Sequence, residues 1–354
     1  MSELKVDKVS PRTGNYVALN TVGSKNIIIN GDMSIAQRGT TATGLGNVDS
    51  GYHTCDRWRF NEVGTVTFEF TQSQSTDVPS GQGFANSLKM DCTTAQGSLA
   101  SNDVLRIQHR IEGQNLQYLK KGTANAESVT LSFWVKSNKT GTYIVQLYDN
   151  DNNRTISNSY TINSASTWEK KTLTYAGDTT GAFDNDNSES LAIQFYLGAG
   201  TDFNSGTLNT SWNTPNNADT AVGQVNLADN TANEWFITGV QLEAGTTASD
   251  FEFLPVDVNL QRCNRYYQDY TEGNTIIRGY GYNVTSGMDT PFTFKTPMRA
   301  APTMTEVSGT DSGSNTTLTS FGTIKTYGCD FNTDPTTSNQ NNFYAFKFTA
   351  DAEL

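Results

Sequence analysis

The sequence predicts an all-β fold: a jelly-roll β-sandwich followed by a short helix and a small C-terminal β-domain, with an extended N-terminal arm. Three observations lead there. Between residues 26 and 254, short period-two segments alternate with turns rich in Gly, Asn and Asp. The 18 Phe, 15 Tyr and 5 Trp supply core area, while only 17% of the 354 residues are charged, which leaves Thr, Ser, Asn and Gly to cover the surface. At residues 255–270 the apolar spacing switches from two to three or four, as in a helix.

Residues 1–25 form the arm. Pro11, Gly14 and Gly23 interrupt it, and it has too few apolar residues to pack alone, so it reads either as a docking segment or as a frayed terminus. Residues 26–254 are the jelly roll. Its opening segment, NIIINGDMSIAQRGT (Asn26–Thr40), reads as a strand ending in an Asn-Gly turn. In VTFEFTQS, Val66, Phe68 and Phe70 share one face and Thr67, Glu69 and Thr71 the other. SLKMDC, VTLSFWVKS, YIVQLYD, TISNSYTI, WEKKTLTY, LAIQFYLG and WFITGVQLE follow as strands. SNKTG, closed by Gly141, is a hairpin loop, and residues 115–121 suit a helical turn. Trp134, Trp168 and Trp235 are expected in the core, because strand tryptophans are largely buried.

The linker helix spans residues 255–270. Val256, Leu260, Cys263, Tyr267 and Tyr270 make one helical stripe, with Pro255 near the start. The stripe fits either packing on its own sandwich or meeting its copies at an oligomer axis. Residues 271–354 read as a second β-region, whose last strand sets Phe343, Ala345 and Lys347 against Tyr344, Phe346 and Phe348.

Composition excludes several functions. A net charge of −12, with no Lys/Arg run, argues against nucleic acid as a partner. No apolar run approaches the ~20 residues of a membrane helix, so no membrane insertion is expected. The start, MSELKVDKVSPRTG, has no apolar h-region, so no secretory signal is expected. Cys55, Cys92, Cys263 and Cys329 form no CxxC pair and are expected to be reduced. With His53 and His109 the only histidines, a structural zinc site is not expected. GxSxG, P-loop and HExxH motifs are missing, and no β-helix-like repeat occurs, so the chain is not expected to be an enzyme. A polysaccharide depolymerase, which needs only two carboxylates about 5–10 Å apart, is the least favoured reading, since no repeat of roughly 20–30 residues, as in a β-helix, occurs.

NIIINGDMSIAQRGT, CDRWRF, VQLEAGTTASDFEFLPVD, QRCNRYY and FTFKTPMRAAPTMT, in that order, resemble a recurring series of segments in bacteriophage tail fibres and related virion appendage proteins. The start resembles structural proteins of cyanophages and other marine phages. The strand series from SVTLSFWVKS to WFITGVQLEAG resembles carbohydrate-binding jelly-roll modules. The resemblance implies a virion (tail) component assembled in host cytoplasm and commonly homotrimeric. The arm would meet other tail proteins, and host cell-surface polysaccharide would be a possible partner. A purely architectural tail or capsid decoration protein is the alternative.

Glycan contact needs aromatic faces beside amides and carboxylates. Trp212 lies in the long loop SGTLNTSWNTPNNAD and Tyr148 beside the acidic DNDNN turn, while Tyr280, Tyr282 and Tyr344 are set among Gly and Asn. These five are the candidate glycan-binding residues. Val256, Leu260, Cys263, Tyr267 and Tyr270 are the candidate oligomer contacts. No cofactor is expected beyond a structural Ca2+, for which Asp32 and Glu243, at the ends of the opening and closing strands, are the candidate ligands.

Overall fold

The computed structural model describes residues 25–281, 288–307, 312–314, 316–335 and 340–354. The expected arm, up to residue 24, and Tyr282 lie outside the described residues, as do the side chains of Tyr280 and Tyr344.

The jelly roll contains β1 (Thr41–Gly46), β2 (Gly51–Tyr52), β3 (Arg59–Val63), β4 (Glu69–Ser75), β5 (Ser87–Thr94), β6 (Val104–Glu112), β7 (Val129–Ser137), β8 (Gly141–Asp149), β9 (Arg154–Ile162), β10 (Glu169–Tyr175), β11 (Glu189–Ala199), α1 (Thr201–Asn204) and β12 (Glu234–Ala244). They form two six-stranded sheets, ordered β1-β4-β5-β12-β7-β10 and β2-β3-β6-β11-β8-β9, with antiparallel pairing throughout. The expected helical turn is two short 3-10 turns, Gly113–Asn115 and Gln117–Leu119.

Alternation along each strand fills the space between the sheets. Phe70, Leu88, Leu131, Phe133, Trp235 and Leu242 from the first meet Phe60, Ile107, Val145, Tyr160, Ile193 and Phe195 from the second. Phe133 and Phe195 pack edge to face across the gap, at 5.3 Å between centroids.

The opening segment is not a strand. Asn26 spends its side chain on the backbone: Oδ1 accepts from Ile28 and Leu242 N–H, and Nδ2 donates to Val240 O. Asn30 takes the left-handed conformation (φ 58°), and its amide bonds Ile35 and the Asp56 carbonyl. The segment therefore runs along β12 past its bulge at Gly239, with Ile27 N–H donating to Leu242 O and Val240 N–H to Gly31 O. Trp58 is fully buried below it and donates Nε1 to Asn30 O.

The linker helix is shorter than the stripe suggested. α2 spans Val256–Asn264, and Tyr267 and Tyr270 already lie on the next strand. The C-terminal region contains β13 (Tyr267–Gly281), β14 (Met288–Thr293), β15 (Thr303–Glu306), β16 (Ser312–Ser314), β17 (Thr316–Lys325), β18 (Gly328–Pro335) and β19 (Gln340–Asp351). β19 is flanked by β13, β15 and β16, while β18 sits between β14 and β17. Phe294, Phe331, Phe346 and Phe348 make its core.

The CDRW turn locks this region to the jelly roll. Arg57, itself left-handed (φ 72°) and fully buried, pairs with Glu353, donates to Arg110 O and stacks 3.6 Å above the Tyr266 ring. Arg38 bonds Asp351 at 2.8 Å and covers Tyr267 at 3.6 Å. Asp56 accepts from Gln37 N–H and Nε2, and burial raises its pKa from the ordinary carboxylate value.

Candidate functional site

The outer face of the first sheet carries an aromatic groove. Leu131, Phe133 and Val135 of β7 point into the core, so Ser132 and Trp134 point outward. Phe84, before β5, and Phe251 and Phe253, after β12, gather beside them with ring centroids 4.9–5.1 Å apart. Lys170, Asp250 and Gln82 form the rim of a cavity of about 180 Å³. Trp134 is half-buried and Phe253 is 49% exposed, unusual for side chains of this size. Ligand pockets commonly enclose ~300–1,000 Å³, so this shape suits one ring of a chain laid across the sheet. Farther along the same face, Trp168 donates Nε1 to Asp77 at 2.9 Å, and Lys136 lies 4.2 Å from the Phe236 ring centroid. Burial opposes the charge of Asp77, but hydrogen bonds from Lys136 and Trp168 outweigh it and hold the carboxyl below its usual range.

The outer face of the second sheet is polar. Arg59 and Asn61 on β3, Arg106 and Gln108 on β6, Gln194 on β11, and Gln146 and Tyr148 on β8 are set side by side by register: Arg59 opposite Gln108, Asn61 opposite Arg106, Gln108 opposite Gln194, and Gln194 opposite Gln146. The loop after β11 covers the far end, where Phe203 and Leu208 pack on Val104, Ile144 and Tyr196.

Two larger cavities line the junction with the C-terminal region. One, about 480 Å³, lies between the opening segment, the end of β6 and α2, beside half-exposed Tyr118. Arg265 and Arg110 there are committed to Glu112 (2.6 Å) and Glu189 (3.2 Å). Burial opposes the Glu112 charge, but Arg265 and Tyr266 outweigh it and keep its pKa below the ordinary value. The other, about 490 Å³, is lined by Asp269, Glu272, Tyr270 and Lys295.

The residues singled out from sequence are placed as follows. Trp212 is half-buried because its loop pairs with the edge strand β9 through Asn213 and Thr155. Its Nε1 donates to Ala176 O at 2.7 Å, and Lys121 sits 5.4 Å from the ring centroid. Tyr148 stands half-exposed on the polar face and donates to Asn153 at 3.0 Å. Neither lines the aromatic groove. Of the helical stripe, Val256 is 66% exposed, Leu260 packs beside Ile29 and Ile35, and Cys263 is buried with them. Tyr267 lies under Arg38 and Tyr270 stacks on Phe348 at 4.6 Å, so these aromatic rings find partners within the chain. Asp32 accepts from Ser34 and Asn259, and Glu243 from Gln241 and Ser249: two separate hydrogen-bond sets. Among the described residues, no group of three or more His, Cys, Asp or Glu side chains is placed to hold a metal ion. The four cysteines are free and buried.

Trp134 was assigned to the core by residue type, yet the period-two pattern of VTLSFWVKS already placed it opposite Leu131, Phe133 and Val135. Phe251 and Phe253 carried no comparable signal, since the exit segment has no regular period.

No protein-family model matches the chain, and no curated protein does. Among solved structures it is similar to the enzymatically active domain of tailspike protein 4 of Bacteriophage CBA120, at 16% identity and a TM-score of 0.33, over 62% of this chain and 21% of that one. It thus spans about a fifth of that tailspike domain. It is also similar to a family 11 carbohydrate-binding module from Clostridium thermocellum in complex with a mixed-linked tetrasaccharide (10% identity, TM-score 0.28, 59% of this chain and 99% of that one). A third is a xylan-binding domain from Paenibacillus barcinonensis (10%, 0.28, 61% and 100%). At such scores the all-β description stands on the sheets themselves.

Proposed function

We propose that the chain is a structural component of a phage virion, a trimeric tail appendage that contacts host surface glycans without chemistry. One observation carries the glycan part: Trp134 and Phe253, half-exposed, flank a shallow groove rimmed by Lys170, Asp250 and Gln82. Aromatic faces there would stack on sugar rings while the rim groups meet hydroxyls. The order of sequence segments supports the virion part, with residues 1–25 as the docking arm. Copies linked on one particle would turn weak contacts into firm adhesion.

Affinity electrophoresis in gels containing host polysaccharide tests the groove. Trp134→Ala and Phe253→Ala are each expected to weaken retention about tenfold, equivalent to ~1.4 kcal/mol, with little change in melting temperature for the exposed Phe253. Unchanged retention would remove the groove from the proposal, and shortened polysaccharide would point to a hydrolase instead. A chain lacking residues 1–25 is expected to fold and bind glycan yet fail to enter particles. Its normal incorporation would count against the docking arm, and a monomeric mass by light scattering against the trimer.

A further inference from the structure

The polar face of the second sheet is a field of hydrogen-bond donors. Arg59 gives Nη1 to Gln108 Oε1 at 3.0 Å. Arg106 gives Nε to Asn61 Oδ1 at 2.7 Å, and Nη1 to Gln194 Oε1 at 2.5 Å and the Tyr196 hydroxyl at 3.0 Å. That hydroxyl donates in turn to Gln146 Oε1 at 3.3 Å. A guanidinium can only donate, so these bonds fix which end of Gln108 and Gln194 is oxygen. The amide oxygens of the row are thereby occupied. The Nε2 hydrogens of Gln108, Gln146 and Gln194 have no partner among the described residues and are not sealed from solvent, although the three side chains are held in the sheet at 3–5% exposure.

Charge points the same way. Among the described residues, Arg59 and Arg106 bond neutral groups only. Of the nearby acids, Glu189 is matched by Arg110 and Glu62 turns to Ser50 at 2.5 Å. Burial, then Arg110, pull the Arg59 pKa down; Tyr52 opposes them, Arg106 adds to the fall and Glu62 opposes it, and the net direction is downward. In a chain of net charge −12, this is a local positive excess.

We infer that this face binds an oxyanion carried by a glycan, the carboxylate of a uronic acid or a sulfate ester. Arg59 and Arg106 would face the anion, the glutamine amides the flanking oxygens, and Tyr148, next to Gln146 on β8, the sugar ring. The inference rests on the glycan-contact reading and assigns a sugar class to a second face.

Calorimetry on the full chain with a galacturonate oligomer, the matching neutral galactose oligomer and sodium sulfate tests it. The charged oligomer is expected to bind at least tenfold more tightly than the neutral one, with the margin shrinking as salt shortens the screening length. Arg59→Gln and Arg106→Gln are each expected to erase most of that preference and leave neutral binding intact. Among the described residues Arg59 bonds Gln108 alone, so its variant decides the matter if Arg106→Gln folds poorly. Equal affinity for the two oligomers, or a preference unchanged in Arg59→Gln, overturns the inference. Sulfate bound by the parent and lost in Arg59→Gln, with neither oligomer bound, would support the oxyanion site while ending the glycan reading.

Discussion

Replacing Arg57 by alanine is expected to lower stability by about 3–5 kcal/mol, the cost of leaving one member of a buried pair without its partner. Arg57 is fully buried and Glu353 is nearly so. The substitution also removes the stacking on Tyr266 and the bond to Arg110 O. Glu353 keeps Arg38 at 3.3 Å, which tempers the loss. The damage should concentrate where the C-terminal tail meets the jelly roll, because Ala352 N–H also bonds Tyr266 O and Arg110 bonds Leu354 O there. Calorimetric melting with hydrogen exchange on β19 would show that region opening first. Changing both partners to methionine should cost less than the single change, since no charge is stranded. A loss below about 1 kcal/mol in Arg57→Ala would show that the pair contributes little to the docking.

Much of the architecture was legible because burial imposes period two on a strand. Each of the expected jelly-roll strands from VTFEFTQS to WFITGVQLE corresponds to an observed one, and the polar turns fall between them. The misses have physical causes. β6, VLRIQHRIE, is centred in its sheet, yet Arg106, Gln108, His109 and Arg110 obscure its apolar face of Leu105, Ile107 and Ile111. That strand supplies Arg106 and Gln108, so the donor face was overlooked with it. β18, GCDFNTDP, was hidden by Gly and Pro at its ends, although Phe331 is buried. The helical stripe misled because Tyr267 and Tyr270 continue the spacing of α2 after the backbone has turned into β13. Asn26 reads as the start of a strand and Asn30 as a turn former, whereas their side chains bond the backbone of β12 and of the CDRW turn.

The motif glycine Gly31 gives the second large effect. An Asn-Gly pair commonly signals a hairpin, with glycine supplying a positive φ. Here the left-handed residue is Asn30 and the glycine answers a different demand. A Cβ at position 31 would stand 2.1 Å from Val240 O and 3.2 Å from its carbonyl carbon. Both belong to the backbone of β12, which pairs with β7 on either side of this bulge, at Thr238 and from Gln241 on, so the obstruction cannot swing aside as a side chain would. Gly31→Ala must therefore push the opening segment off β12. That strains the Val240–Gly31 hydrogen bond and the Asn26 bridge to Leu242, and loosens the lid over Trp58. Overpacking of this kind costs about 1–3 kcal/mol and sometimes more, or a fall of roughly 2–4 °C in Tm per kcal/mol for a domain of this size. Gly97→Ala is the matched control, because a Cβ there meets nothing within 4 Å. It should be neutral or slightly stabilising through the unfolded chain. Equal melting of the two variants would mean that the opening segment can shift without loss and that its close approach to β12 is not what the glycine provides.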